Sequence, residues 1–262
     1  MSKLSFGNIV FGALVVLILM FLILPVLVIV PMSFSDTRFL TFPPPSYSLR
    51  WYQAFVGNPA WMDACKTSLI VSILTTLIAT PLGVAASYAI HNSSHWSMRY
   101  LRLMLMLPLM VPIIIAAVGV FFIYSRVGLL TSIAGLVLAD VMLGLPYVVT
   151  AVTAGLQGFD QTQEMVARSL GMNRFRSFMT VTLPQIKSSV ISAAIFAFIQ
   201  ALDETIVALF ISGGQNQTLT KRMFTALRDE IDPTIAAIST LLTAASFALI
   251  MLMVFSRRMA QR

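Results

Sequence analysis

Six apolar runs, each long enough to cross a bilayer as a helix, govern what this chain can become. A helix rises about 1.5 Å per residue and a hydrocarbon core is about 30 Å thick, so a crossing takes roughly 20 apolar residues. The runs cover residues 9–31, 69–90, 103–124, 128–152, 190–211 and 234–255. Open strands would leave backbone groups unpaired in hydrocarbon, and the alternating pattern of a membrane β-barrel is absent, so the sequence predicts an all-α integral membrane protein. Composition agrees. The 262 residues are 58% hydrophobic and 10% charged, too few charges to cover a soluble globule. The first run is too long for a typical signal-peptide core and reads as a transmembrane helix.

Charge placement sets an expected orientation. With both termini inside, the cytoplasmic side holds Lys3, Arg99, Arg102, Arg168, Arg174, Arg176, Lys187, Arg257, Arg258 and Arg262. The outer side holds Arg38, Arg50, Lys66, Arg126, Lys221, Arg222 and Arg228. The net charge of +7 is therefore read as membrane topology, and no nucleic-acid partner is expected. The single cysteine, Cys65, rules out an internal disulfide and any multi-cysteine metal site. His91 and His95 sit at a cytoplasmic membrane edge without the company that a metal site requires. No GxxxxGK[ST] loop is present, so ATP hydrolysis by that mechanism is not expected of this chain.

The whole chain, 1–262, reads as one transmembrane domain. External loops are expected at 33–66 and 212–233, and residues 49–55 could form a short interfacial helix within the first. Pro108, Pro112 and Pro146 fall inside spans, where each removes a backbone donor and favours a bend. Such bends serve packing or shape a cavity.

The cytoplasmic loop at 158–186 carries the densest local signals. Asp160 can cap a helix, and Gln163 stands at capping-box spacing. Met165, Val166, Ser169 and Leu170 give that helix a partly apolar side, and Gly171 supplies a turn. A second helix is expected from Asn173 toward Val181, with Arg174 and Arg176 beside Phe175 and Phe178, and Pro184 is expected to end it. Physics alone leaves two roles open: an element lying among anionic lipid headgroups, or a docking surface for a protein.

Ala167 and Gly171, with Arg168 and Leu170 between them and Leu183-Pro184 downstream, resemble the coupling motif of permeases of binding-protein-dependent ABC importers. That motif is Glu-Ala-Ala, three residues, then Gly. Here Met165 stands at its glutamate, Glu164 immediately before, and Val166 at its first alanine. The resemblance covers nearly the whole chain and is most like the second permease of spermidine/putrescine importers, with support from residues 107–112, 196–205, Thr218-Leu219 and 231–241. It implies a type I ABC importer permease fold in the bacterial inner membrane. The implied ATPase-coupling residues are Glu164, Met165, Ala167, Arg168, Gly171, Arg174, Leu183 and Pro184. The implied partners are a sister permease, two cytoplasmic ATPases that bind ATP and Mg, an extracytoplasmic solute-binding protein and membrane lipid. This chain would bind no cofactor and catalyse no reaction itself.

Asp140, Asp203 and Glu204 lie within the fourth and fifth spans. A carboxylate at the centre of a membrane helix costs about 2.5–3.5 kcal/mol even on lenient scales, so each must face a bundle interior, a wet cavity or a partner chain. For a polyamine path they would pair with ammonium groups, assisted by an aromatic face such as Phe198. Import of an amino acid, an opine or another small organic solute remains open, as do an autonomous channel and an intramembrane enzyme.

Overall fold

The structure is a computed structural model describing residues 6–39, 41–93, 95–229 and 232–260. Lys3, Arg262 and Ile231 lie outside the described residues. The helices are α1 (Phe6–Ser33), α2 (Arg50–Gly57), α3 (Pro59–His91), α4 (Trp96–Met110), α5 (Ile113–Val127), α6 (Ile133–Gln157), α7 (Gln161–Ser169), α8 (Arg174–Ser177), α9 (Leu183–Gln185), α10 (Lys187–Asp203), α11 (Ile206–Ile211), α12 (Leu219–Asp229) and α13 (Thr234–Ala260). Four helices are long and apolar enough to cross a membrane, and six crossings result if each of two bent helix pairs counts as one. Among the described residues β-pairing is limited to two isolated bridges.

The chain divides into two units, Met1–Pro59 with Thr225–Ala245, and Ala60–Phe224 with Ser246–Arg262. In the first, α1 is apolar and exposed along nearly its whole length, as a helix bathed in lipid can be. At its end Ser33 Oγ donates to Val30 O (2.6 Å) and lies 2.8 Å from the Tyr52 hydroxyl, while the Phe34 and Tyr52 rings stack 5.2 Å apart. The short helix expected at 49–55 is α2, whose Trp51 and Phe55 are buried.

The second unit contains the core. α6 is its centre: Val148, Val152 and Leu156 are fully buried, alongside Ala193 and Ala197 of α10 and Val71 and Ala79 of α3. Small residues permit this closeness. A Cβ on Gly155 would lie 2.6 Å from Ser189 Cβ, and one on Gly83 would lie 2.4 Å from Val148 Cγ1. Close backbone approach through glycine and serine is the usual way helices hold together where lipid offers no hydrophobic gain.

Two expected continuous spans are broken. The run at 103–124 divides at Val111-Pro112, with α4 and α5 bent 104° from each other. Pro112 lacks an N–H and forces Val111 into an extended conformation, φ −88° and ψ 131°, so it ends a helix where only a kink was expected. Pro108 and Pro146 stay within continuous helices. The run at 190–211 divides at Glu204-Thr205, between α10 and α11. The fourth span begins at Ile133 rather than 128, because Gly128 (φ +72°) and Thr131 (φ +55°) form a turn closed by the Ser132 cap on Gly135 N (3.0 Å). α3 has 33 residues, or about 50 Å, so its first turns stand beyond a hydrocarbon core and take up part of the expected outer loop. The stretch 212–233, expected as the second external loop, likewise contains a helix, α12.

Candidate functional site

The loop at 158–186 folds from strong local signals. Asp160 caps α7 by accepting from Thr162 N (2.9 Å), and those hydrogen bonds hold its carboxyl below the usual range. The expected capping box is not made: Asp160 takes the amide of Thr162 rather than that of Gln163, and the Gln163 side-chain oxygen accepts from Gln185 Nε2 instead. At the far end Met172 N donates to Ala167 O (3.2 Å) and Gly171 N to Arg168 O (3.0 Å), the paired bonds of a Schellman closure. Gly171 has φ +94°, which explains the glycine of the motif by backbone geometry alone. Asn173 then caps α8 through Arg176 N (2.8 Å).

Pro184 does not end the second helix. A π turn over Phe178–Thr182 follows α8, and the helical path continues through Leu183 (φ −58°, ψ −43°) into α9. The wider turn leaves the proline ring room that an α-turn would deny it. The path stops at Ile186, where it bends 80° into α10.

The loop's two faces differ in kind. Glu164, Ala167, Ser177 and Thr182 are buried, whereas Met165, Val166, Leu170 and Phe175 are 53–80% exposed. Arg168 and Arg174 are exposed, Leu183 is half-buried and Pro184 exposed. Of the expected coupling residues, Met165 and Arg168 are therefore presented outward, while Ala167 packs inward and Gly171 shapes the turn. Glu164 also points inward. It accepts from Thr182 Oγ1 (2.6 Å) and from the Tyr88 hydroxyl at the end of α3. Arg174 lies over the Tyr88 ring, 5.3 Å from its centroid. Tyr88 was not singled out from the sequence, and no local pattern links it to a residue 76 positions away.

The membrane acids separate into three environments. Asp203 is exposed and lines a cleft of about 530 Å³ together with Tyr147, Phe196 and Gln200. Gln200 Oε1 is buried there without a hydrogen-bond partner. This cleft adjoins a larger one of about 1070 Å³, which shares Tyr147 and Phe196 and reaches Gln185, Lys187 and Ser188 near the coupling loop. Glu204 borders the smaller cleft, but its carboxylate caps α11, accepting from Val207 N (2.7 Å) and Ala208 N (2.9 Å). Asp140 is buried, lines neither cleft, and lies within electrostatic range of Glu204 and Tyr124. Phe198 is half-buried and lines neither cleft; Phe196 stands where the aromatic was expected. Helical period explains the exchange, since 196, 199, 200 and 203 share one face and 198 is turned away from it.

Beyond Glu204, the start of α12 clasps the break. Thr220 Oγ1 donates to Glu204 O (2.7 Å), Leu219 N to Ser68 Oγ (2.8 Å), and Lys221 Nζ to Leu209 O (3.2 Å) and Ser212 O. Among the described residues no cluster of His, Cys, Asp and Glu is suited to a metal ion.

Comparison with known proteins places this geometry. A family model described as binding-protein-dependent transport system inner membrane component matches residues 79–261, which include the loop and both clefts. The chain is 26% identical over 233 residues to the spermidine/putrescine transport system permease protein PotC of Haemophilus influenzae, covering 88% of this chain and 90% of that one. A bacterial ABC transporter involved in import of the acidic polysaccharide alginate superposes with a TM-score of 0.72 at 15% identity, over 97% of this chain and 95% of that one. The alginate transporter in complex with its alginate-bound periplasmic protein gives 0.70 at 13% identity, over 97% and 94%. At such identities the likeness is one of fold.

Proposed function

Because this chain belongs to the family of binding-protein-dependent transport system inner membrane components and is the permease of an ATP-driven importer, we propose that its cargo is a polyamine or a related small organic cation. The observation that carries this reading is the exposed Asp203 carboxylate in the cleft that Tyr147 and Phe196 also line. A carboxylate and two aromatic rings suit an ammonium group. Glu204 takes no direct part, because backbone amides already occupy its oxygens.

In this reading an external binding protein delivers the solute, and a sister permease closes the open side of the clefts. Two cytoplasmic ATPases with ATP and Mg dock against Met165, Val166, Leu170 and Phe175, flanked by Arg168. Both termini are cytoplasmic, which puts the loop at 158–186 on the ATPase side. Gly171, Leu183 and Pro184 act on that contact through the shape of the loop.

Lys187 in the larger cleft favours a second reading, in which the solute is an amino acid or another molecule that carries a carboxylate. Competition assays on the complete transporter in vesicles separate the two. Unlabelled putrescine and spermidine should abolish labelled spermidine uptake, amino acids should not, and Asp203→Asn should lower uptake roughly tenfold with normal protein levels. Unchanged uptake by that variant, or competition by amino acids alone, would remove the polyamine reading.

A further inference from the structure

We propose that Glu164 and Tyr88 form an internal strut that makes α3 move with the coupling loop. The proposal rests on the reading of that loop as the ATPase-docking element, and assigns Glu164 a positioning role within this chain in place of a contact with the partner.

Glu164 is 6% exposed, so its carboxylate is unavailable to a docked protein. Both oxygens are occupied, one by the Tyr88 hydroxyl and one by Thr182 Oγ1, and its backbone carbonyl accepts from Ser177 Oγ (3.2 Å). The Tyr88 ring is itself held: Phe178 packs 4.6 Å from it, the Arg174 guanidinium covers it, and Arg174 Nε lies 3.5 Å from its hydroxyl. Among the described residues, the hydrogen bonds that link α3 to the loop all pass through that one hydroxyl.

The sequence register gives the arrangement its meaning. Glu164 precedes Met165, and neighbouring residues on a helix point about 100° apart. Met165 therefore takes the outward place of the motif's glutamate, while the carboxylate one residue earlier turns inward onto α3 and the π turn. A push on the exposed Met165, Val166 and Leu170 reaches α3 through Tyr88 and the segment leading to α10 through Thr182. One carboxylate thus ties a transmembrane helix to the turn that leads toward α10.

The test uses the complete transporter in proteoliposomes, with the solute-binding protein as purified from cells, and reads ATP hydrolysis with and without that protein. Tyr88→Phe, which removes a single oxygen, and Glu164→Gln should both co-purify with the ATPase in the normal amount and keep unstimulated hydrolysis within about twofold. Stimulation by the binding protein should fall roughly tenfold in each, and the double variant should be no worse than the poorer single one. Full stimulation in Tyr88→Phe would overturn the strut. So would loss of the ATPase from Glu164→Gln with Tyr88→Phe unaffected, since that pattern marks a direct contact. The docking reading fails separately, if Leu170→Glu still retains the ATPase.

Discussion

Glu164 and Glu204 are both buried carboxylates with both oxygens engaged, yet they do opposite things to the chain. Glu164 reaches across the fold, to Tyr88 on another helix and to Thr182 beyond the next turn. Glu204 folds back on its own backbone and takes two amides from the start of α11. The first joins elements; the second interrupts one and makes the interruption stable in a place with little water. The acidic residues of a membrane protein therefore need not mark the path of its cargo. Of the three within the spans, Asp203 alone is exposed in a cleft.

The largest expected effect tests the local half of this contrast. Glu204→Ala leaves the amides of Val207 and Ala208 buried without their acceptor, at a cost of about 2–4 kcal/mol, and should lower the thermal stability of the purified complex severely. Glu204→Gln keeps one acceptor oxygen and should recover part of the loss. Equal stability of both variants to the parent would show that the break does not depend on its cap.

Gly155→Val probes what lies between the two glutamates, because α6 and α10 touch there. The added atoms collide with Ser189, and the expected cost is about 1–3 kcal/mol with a parallel loss of uptake. Gly171→Ala should be milder, roughly 1 kcal/mol, from placing a side chain at φ +94°. Its signature would be faster amide exchange in α7 with α10 unchanged.

The smallest effect concerns Asp160. Its folded-state carboxyl is held below the ordinary value by the Thr162 bonds, so its contribution is present above the unfolded pKa of about 3.9 and fades as pH falls through the lower folded value. Asp160→Ala should loosen α7 slightly at neutral pH and abolish that acid dependence of amide exchange, while Glu164 stays in place.

Local chemistry made much of the loop legible. Asp160, Gly171 and Asn173 act through neighbours within a few residues, so their roles could be read in order along the chain. The inward turn of Glu164 could not, since its meaning lies in Tyr88, brought close only by the packing of α3 against the core. The six apolar runs predicted the crossings, but not their continuity. Pro112 was visible and its 104° consequence was not, because hydropathy averages over a bend. The break at Glu204-Thr205 has no proline or glycine to announce it; a side chain doing the work of a backbone acceptor is silent in composition. Phe196 could have been preferred to Phe198 by tracing the helix face that leads to Asp203.

The π turn over Phe178–Thr182 has a consequence for how this loop tolerates change in length. A turn that holds one residue more than an α-turn is a stored insertion: removing a residue there would let ordinary α-helix run on with both sides nearly in phase, whereas a deletion from the α-turns of α7 would rotate one side by about 100° relative to the other. The cost of losing a residue from the π turn would fall on Pro184, whose ring would then meet an α-turn upstream. Loss of one residue from this turn should therefore be absorbed more readily than loss of one from α7, which would turn Glu164 away from Tyr88 or Thr182.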